Sequence, residues 1–245
     1  MTNHVLLNNI THKNLKVITD RSEKYGDNVM FTTTFPLEFR NIQSAYPIFF
    51  NKNNKTGLFN AIALFGFKEN ENLYLNENGW NARYIPLTIE RHPFLIGFQQ
   101  FQEEGIVKKQ MVIHVDIDNP RVNETEGAVL FMPQGGNTPY LEHVASVLEA
   151  IHYGYEHSEG FINMLLEFDL LESFALDIQL DDGSNNQMQG FYTINEDKLG
   201  ALNGDALAKL HSQGYLQAIY MVIASHSHIR QLVDEKNKRL QRVDK

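Results

Sequence analysis

Alternating apolar and polar positions dominate the first half of the chain and predict β-strands. Residues 107–117 place apolar side chains at every second position, apart from Lys109. Such alternation suits a strand, because successive side chains point to opposite faces of a sheet. The shorter apolar stretches at 48–50, 58–67 and 94–101 also predict strands. The front of the chain is therefore expected to be an antiparallel, strand-rich region.

The second half changes to apolar residues spaced three or four apart, the period of an amphipathic helix. Thr138 and Pro139 suit the N-cap and first position of a helix, and Glu159-Gly160 predicts a kink or a break in it. One final helix is predicted from residue 215 to about residue 240. Its buried stripe should contain Leu216, Ile219, Val222, His226, Ile229 and Val233, and Ser225 should lie largely outside it.

Between these helical stretches, residues 174–180 and 188–194 flank a turn-forming Asp-Asp-Gly-Ser segment and predict a β-hairpin. The fold class is therefore α+β, with an antiparallel strand-rich N-terminal part and a helical C-terminal part containing one β-hairpin. We expect a single domain over residues 1–245, with a soft internal boundary near residue 137.

Charge and composition narrow the possible partners. The chain carries 21 basic against 30 acidic residues, a net charge of −9, which argues against nucleic-acid binding. A basic cluster at the C-terminal end is interpreted as a solvated helix end; it consists of Lys236, Lys238, Arg239, Arg242 and Lys245. The absence of cysteine excludes disulfides, thiolate catalysis and cysteine-ligated metals. Without a signal sequence or an apolar run of about 20 residues, we expect a cytoplasmic protein that does not bind membranes.

The most distinctive stretch runs from residue 72 to residue 98 and holds the single tryptophan, Trp80. Trp80, Tyr84, Arg91 and His92 are candidate ligand-binding residues, since an arginine over an aromatic ring can hold an anionic or aromatic ligand. A structural interpretation competes with this one. In it, Trp80 and Tyr84 are core anchors, while Arg91 bonds loop carbonyls beside the turn at Pro93.

His114 and Asp116 share one face of a predicted strand and could supply part of a metal site. Together with a second histidine they would form the two-histidine, one-carboxylate set of non-haem iron oxygenases. No third ligand can be identified from the sequence, so the prediction is that no metal or other cofactor is bound, with iron as the alternative. No nucleophile elbow, Walker motif or dinucleotide-binding glycine pattern occurs.

An ordered series of short motifs resembles the bacterial SapC family over roughly residues 30–235. In the front half these motifs are Phe35-Pro36-Leu37-Glu38-Phe39, Tyr46-Pro47-Ile48, Ala63-Leu64-Phe65-Gly66, Asn72-Leu73, Gly79-Trp80, Tyr84-Ile85-Pro86 and Arg91-His92-Pro93-Phe94. In the back half they include Gly190-Phe191-Tyr192-Thr193-Ile194 and Gly214-Tyr215-Leu216.

The resemblance implies an association with a bacterial surface layer and with flavin-dependent halogenase-like proteins, and it supplies no catalytic residues. Together with the missing catalytic set, it favours a non-catalytic accessory or binding protein that acts through a protein or small-ligand partner. The question of an enzyme stays open. The alternative is an enzyme with a pocket near Arg91 and His114, and a non-haem iron oxygenase is the class of enzyme that these residues suggest.

Overall fold

A computed structural model describes residues 3–103 and 106–243 of the chain. In chain order the strands are β1 (His4–Leu6), β2 (Lys16–Val17), β3 (Phe31–Thr34), β4 (Ile48–Lys52), β5 (Phe59–Leu64), β6 (Leu75–Asn76), β7 (Gly79–Trp80), β8 (Phe94–Glu103), β9 (Ile106–Asp116), β10 (Val122–Asn123), β11 (Ala128–Val129), β12 (Leu171–Gln179) and β13 (Asn185–Ile194). The helices are α1 (Phe39–Ile42), α2 (Leu87–Glu90), α3 (Pro139–Glu167), α4 (Glu196–Gly200), α5 (Gly204–Ser212), α6 (Tyr215–Ser225) and α7 (His228–Val243).

These elements fall into two compact units, each assembled from separate stretches of chain. Of the described residues, those within Met1–Asp27 and Leu87–Tyr153 form unit 1, and those within Asn28–Pro86 and Gly154–Lys245 form unit 2. The expectation of a single domain over residues 1–245, with its boundary near residue 137, stays a prediction.

Unit 1 is built on an antiparallel sheet in the order β1-β9-β8. Strands β8 and β9 pair along their whole length, from Phe94 opposite Val115 to Glu103 opposite Ile106, which confirms the two strands predicted there. A smaller sheet in the order β10-β2-β11 accompanies it. The hydrophobic core of the unit joins residues of both sheets to the first turns of α3 and includes Val17, Phe94, Val115, Leu130, Leu141, Val144 and Leu148.

Unit 2 holds a five-stranded antiparallel sheet in the order β12-β13-β4-β5-β3. The predicted β12–β13 hairpin is present and pairs with β4 through Phe191 and Tyr192. A short β6–β7 hairpin turns at Glu77-Asn78, and Gly79, the first residue of β7, has a φ of 101°. Buried aromatic and aliphatic side chains fill the core of this unit, among them Phe39, Phe49, Ile62, Phe161, Ile219 and Val222.

The predicted break at Glu159-Gly160 is wrong, because α3 is one continuous helix of 29 residues. Its glycines accommodate close neighbours instead. A Cβ at Gly154 would lie 2.2 Å from the Phe35 ring, and one at Gly160 would lie 2.6 Å from the Tyr215 hydroxyl oxygen. Glycine at these two positions therefore allows Phe35 and Tyr215 to pack closely against α3. From the sequence alone, a glycine that permits close packing looks the same as a glycine that ends a helix.

The single final helix is also wrong, because α6 ends at Ser225 and α7 begins at His228. At the break, the Ser225 hydroxyl accepts a hydrogen bond from the Ile48 amide at 2.8 Å, and His226 Nε2 lies 3.1 Å from the Ile48 carbonyl oxygen. These bonds to β4 fix Ser225 in the core, where it is fully buried. The helical phase restarts in α7, so Leu232 is buried there while Ile229 and Val233 are only half-buried.

The α+β class is confirmed, with antiparallel sheets and with helices concentrated in the C-terminal part. Within residues 3–103 and 106–243, no helix combines the length and the apolar character needed to cross a bilayer.

Candidate functional site

Two of the four candidate ligand-binding residues, Trp80 and Tyr84, belong to a hydrogen-bonded aromatic cluster in unit 2. The Trp80 Nε1–H donates to the Tyr46 hydroxyl at 2.7 Å, and the Tyr46 hydroxyl donates to the Tyr84 carbonyl. The Tyr84 hydroxyl donates in turn to Glu38 Oε1 at 2.9 Å. Burial raises the pKa of the Tyr46 hydroxyl, which stays protonated and able to donate. The polar atoms of both candidates are thus used within the protein.

The other two candidates, Arg91 and His92, lie in unit 1 beside the start of β8. Arg91 donates to the Phe94 carbonyl oxygen at 2.8 Å, and His92 Nδ1 lies 3.0 Å from the Ile89 carbonyl oxygen. Burial, reinforced by the Arg91 charge, lowers the pKa of His92 to about 4. The structure therefore divides the four candidates between two units, and their role in ligand binding stays a prediction.

A buried arginine cluster in unit 1 was not anticipated from the sequence. Arg121 is fully buried and forms an ion pair with Asp27, and it donates to the Ile18 carbonyl oxygen at 3.2 Å. Arg21 shares Asp27 at 3.4 Å and donates to the carbonyl oxygens of Ile89 and Glu90, both at 3.0 Å. Burial and the neighbouring Arg121 charge lower the pKa of Arg21. No local pattern could have revealed this cluster, since Asp27 and Arg121 are 94 residues apart.

His114 and Asp116 lie on β9 as predicted, and each has a structural neighbour. The His114 ring occupies the space above Gly97 of β8, where an added Cβ would lie 2.3 Å from the ring. Asp116 Oδ1 accepts the Asn3 amide at 2.8 Å. Among the described residues, no three His, Asp or Glu side chains come together in a way that could hold a metal. The alternative iron site therefore does not find its third ligand in this part of the chain.

Three clefts can be compared as places for a ligand. The first is a polar cleft of about 440 Å³ in unit 2, lined by α7 and the segment around Tyr74 and Asn81. A second, of about 290 Å³, lies in unit 1 between the β8–β9 hairpin and α3. The third, of about 350 Å³, lies in unit 2 beside the start of α6. Neither Arg91 nor His114 lines any of these three clefts. The three clefts therefore do not support the enzyme alternative, which requires a pocket near those two residues.

The β8–β9 hairpin exposes apolar side chains along an open sheet edge. Phe98 is 42% exposed, Phe101 40% and Val107 60%. Residues 94–102 contain no charged side chain. Among the described residues, β9 is the only strand that pairs with β8, so the outer edge of β8 offers unpaired backbone groups beside exposed aromatic rings.

The basic C-terminal cluster is not simply a solvated helix end, and that interpretation is wrong for two of its members. Lys236 is buried and forms an ion pair with the buried Glu71. Arg239 donates to the backbone carbonyls of Asn72, Leu73 and Leu75. Lys238 is exposed, as expected, while the Arg242 side chain and Lys245 lie outside the described residues. These cations hold α7 against the start of the distinctive stretch, which also disfavours a nucleic-acid role for them.

Fold and surface together define an α+β protein of two antiparallel-sheet units with an exposed apolar hairpin. The family model of SapC matches residues 7–232, and the chain belongs to the SapC family. No curated protein and no solved structure gives a significant match to the chain.

Proposed function

We propose that this SapC-family chain is a cytoplasmic accessory protein that catalyses no reaction itself and binds a partner protein through strand β8. The observation that carries the proposal is the outer edge of β8, which pairs with no strand among the described residues, carries no charge over residues 94–102 and exposes Phe98 and Phe101.

Among the described residues, no strand pairs with the outer edge of β8, and residues 94–102 lack the charges that commonly protect a sheet edge. Monomeric proteins guard such edges with lysine, proline, bulges or a covering element, because unpaired backbone groups attract another strand. Residues 94–102 run for nine positions and include none of these charges or prolines. An edge of this kind is suited to receive an extended segment of a partner, whose backbone would pair with β8.

The side chains beside the edge favour the same type of partner. Aromatic residues and methionine are enriched at protein interfaces, and Phe98 stands directly opposite the partly exposed Met111 on the hairpin. Lys109 places its ammonium 4.0 Å from the centre of the Phe98 ring. We therefore expect the partner segment to be extended and to carry apolar side chains at alternate positions. The family resemblance makes a flavin-dependent halogenase-like protein the first partner to test.

The test is site-specific photocrosslinking in cells. A photoreactive phenylalanine analogue replaces Gln100, which is exposed on β8, and a second version carries the analogue at Leu58. Leu58 is a matched control because it is an apolar side chain, 66% exposed, in unit 2. Crosslinks from position 100 should map to one extended segment of one protein, with none to that segment from position 58.

Phe101→Asp supplies the second arm, since a buried carboxylate at the new interface would be costly. We expect it to reduce the yield of that crosslink at least about tenfold, the effect of roughly 1.4 kcal/mol of binding free energy, whereas Leu58→Asp should not. Equal yields from Phe101→Asp and the unsubstituted protein would refute strand addition at β8. Crosslinks from position 100 to a second copy of the chain would instead identify a homodimer and refute a heterologous partner.

A further inference from the structure

We infer that the third cleft, in unit 2, is a binding site for a small amphipathic carboxylate, a molecule with one anionic group and an apolar body. This inference is independent of the proposed partner surface, which lies in unit 1. Three stretches of unit 2 line the cleft, contributing Pro36, Leu37, Arg40, His157, Gln213, Gly214, Tyr215, Gln217, Ala218 and Met221.

The apolar part of the cleft is accessible. Leu37 is 63% exposed, and Pro36 and Met221 are half-buried beside it. The cavity measures about 350 Å³, which lies within the range of about 300–1,000 Å³ found for small-molecule sites. A ligand with a short aliphatic or aromatic body would remove this surface from water, and the free energy gained would favour binding.

This cleft differs from the other two in the charge of its lining residues. Its lining contains Arg40 and His157 and no Asp or Glu, although the chain as a whole carries a net charge of −9. The polar cleft on α7 balances Arg230 and Lys238 with two acidic residues, and the cleft beside the hairpin contains two glutamates and no cation. A cleft that is positive in an acidic protein is complementary to an anion.

The Arg40 guanidinium is also available to a ligand. Its side chain is exposed and has no hydrogen-bond or ion-pair partner among residues 3–103 and 106–243. A guanidinium presents paired N–H donors that match the two oxygens of a carboxylate. The first turn of α6 lines the same cleft, and its N-cap, Gly214, provides no side-chain acceptor. The amide groups there add a weaker attraction for the same anion.

The test uses octanoate as the probe and the isotope-labelled full-length chain as the receptor. Amide chemical shifts should change in a saturable way at Gly214, Tyr215 and Gln217. Octanol, which has the same chain length without the charge, should bind at least about tenfold more weakly, since a charge-assisted hydrogen bond is lost.

Arg40→Gln should weaken octanoate binding by a similar factor. The matched control Arg230→Gln, an exposed arginine in the polar cleft, should leave it unchanged. Leu37→Ser should weaken octanoate and octanol alike, because it alters only the apolar wall. Both Arg40 and Leu37 are exposed, so an unchanged thermal midpoint will verify that the variants fold.

Shifts that do not saturate, or equal binding of octanoate and octanol, would overturn the inference. Unchanged affinity in Arg40→Gln would overturn it as well. None of these results bears on crosslinking at β8, so the two proposals fail separately.

Discussion

Trp80 donates its indole N–H to the Tyr46 hydroxyl and packs edge-on against Phe65 at a ring distance of 5.2 Å. It is half-buried. Tyr84 completes the same chain of hydrogen bonds through the buried Glu38. At the scale of single residues, the most distinctive side chains of the 72–98 stretch thus join segments of unit 2, in agreement with the structural interpretation of Trp80 and Tyr84.

Trp80→Ala should lower the free energy of unfolding by about 2–4 kcal/mol, towards the lower end of the range for large aromatic truncations because the ring is only half-buried. Trp80→Phe keeps most of the packing and loses the hydrogen bond, so about 1 kcal/mol is expected. Urea denaturation followed by circular dichroism measures both. Leu58→Ala, on the exposed surface, is the control, and a Trp80→Ala midpoint equal to that of the control would contradict the anchoring role.

His226 stacks on Phe49 at a ring distance of 4.8 Å and approaches the Ile48 carbonyl. Burial lowers its pKa below the ordinary value of 6.5. Below about pH 6.5 the unfolded chain therefore gains a proton at this site that the folded chain does not take up. Stability should be unaffected by His226 above that pH and should fall as the pH drops through it.

His226→Leu should reduce the loss of stability between pH 7.5 and pH 5, measured as the difference between the urea midpoints at the two values. It should not abolish the loss, because His92, with a pKa of about 4, acts in the same direction. His211→Gln, an exposed residue at the end of α5, is the control. If His226→Leu retains the full pH dependence of the unsubstituted protein, the buried histidine is not its source.

At the scale of elements, α7 is held by buried charge as well as by apolar packing. Its Lys236 pairs with Glu71, and the other carboxylate oxygen of Glu71 accepts the Phe67 amide at 2.9 Å. The two side chains are only 10% and 8% exposed. Removing one partner of such a pair leaves the other charge buried without compensation.

Lys236→Met should therefore destabilise the protein by about 3–5 kcal/mol. Adding Glu71→Gln should recover much of that loss, because the isolated carboxylate disappears while an acceptor for Phe67 remains. The control is Lys238→Met, since Lys238 is 66% exposed and 3.9 Å from Glu235; about 0–1 kcal/mol is expected there. Additive effects of the two core substitutions in urea denaturation would contradict direct pairing.

At the scale of the whole molecule, each unit has its own core and its own buried polar network. In unit 1 the network centres on Asp27, which compensates Arg21 and Arg121. In unit 2, Ser225 satisfies the buried Ile48 amide. A defect in one network should first weaken the unit that contains it.

Hydrogen exchange measured by mass spectrometry can test this local response. Asp27→Asn, expected to cost about 3–5 kcal/mol, should accelerate exchange in β9 more than in β5. Ser225→Ala, expected to cost about 1–3 kcal/mol through the unsatisfied amide, should do the reverse. Ser227→Ala is its control. The Ser225 hydroxyl donates to the Val222 carbonyl oxygen and the Ser227 hydroxyl donates to the Ala224 carbonyl oxygen in the same way, but Ser227 is exposed. Uniform acceleration throughout the chain by both variants would contradict separate responses.

The sequence by itself determined several of the local elements and the family. The period-two pattern of 107–117 predicted β9, and Thr138-Pro139 predicted the start of α3. The ordered motifs predicted the SapC family, which the family model confirms. The strand and the helix start are encoded within a few neighbouring residues, because side-chain direction follows directly from the helical or strand period. The family is encoded in the order of the motifs along the chain.

Only the tertiary structure decided which polar groups are buried together. Asp27 meets Arg121 across 94 residues, Glu71 meets Lys236 across 165, and Ser225 meets Ile48 across 177. The pairing of Ser225 with Ile48 lies where the predicted final helix breaks. The pairing of Lys236 with Glu71 buries a member of the basic cluster that the sequence predicted to be solvated. The candidate cleft likewise joins Arg40 to α6 residues more than 170 positions away. Burial and electrostatic pairing depend on distances in space, and local periodicity does not encode them.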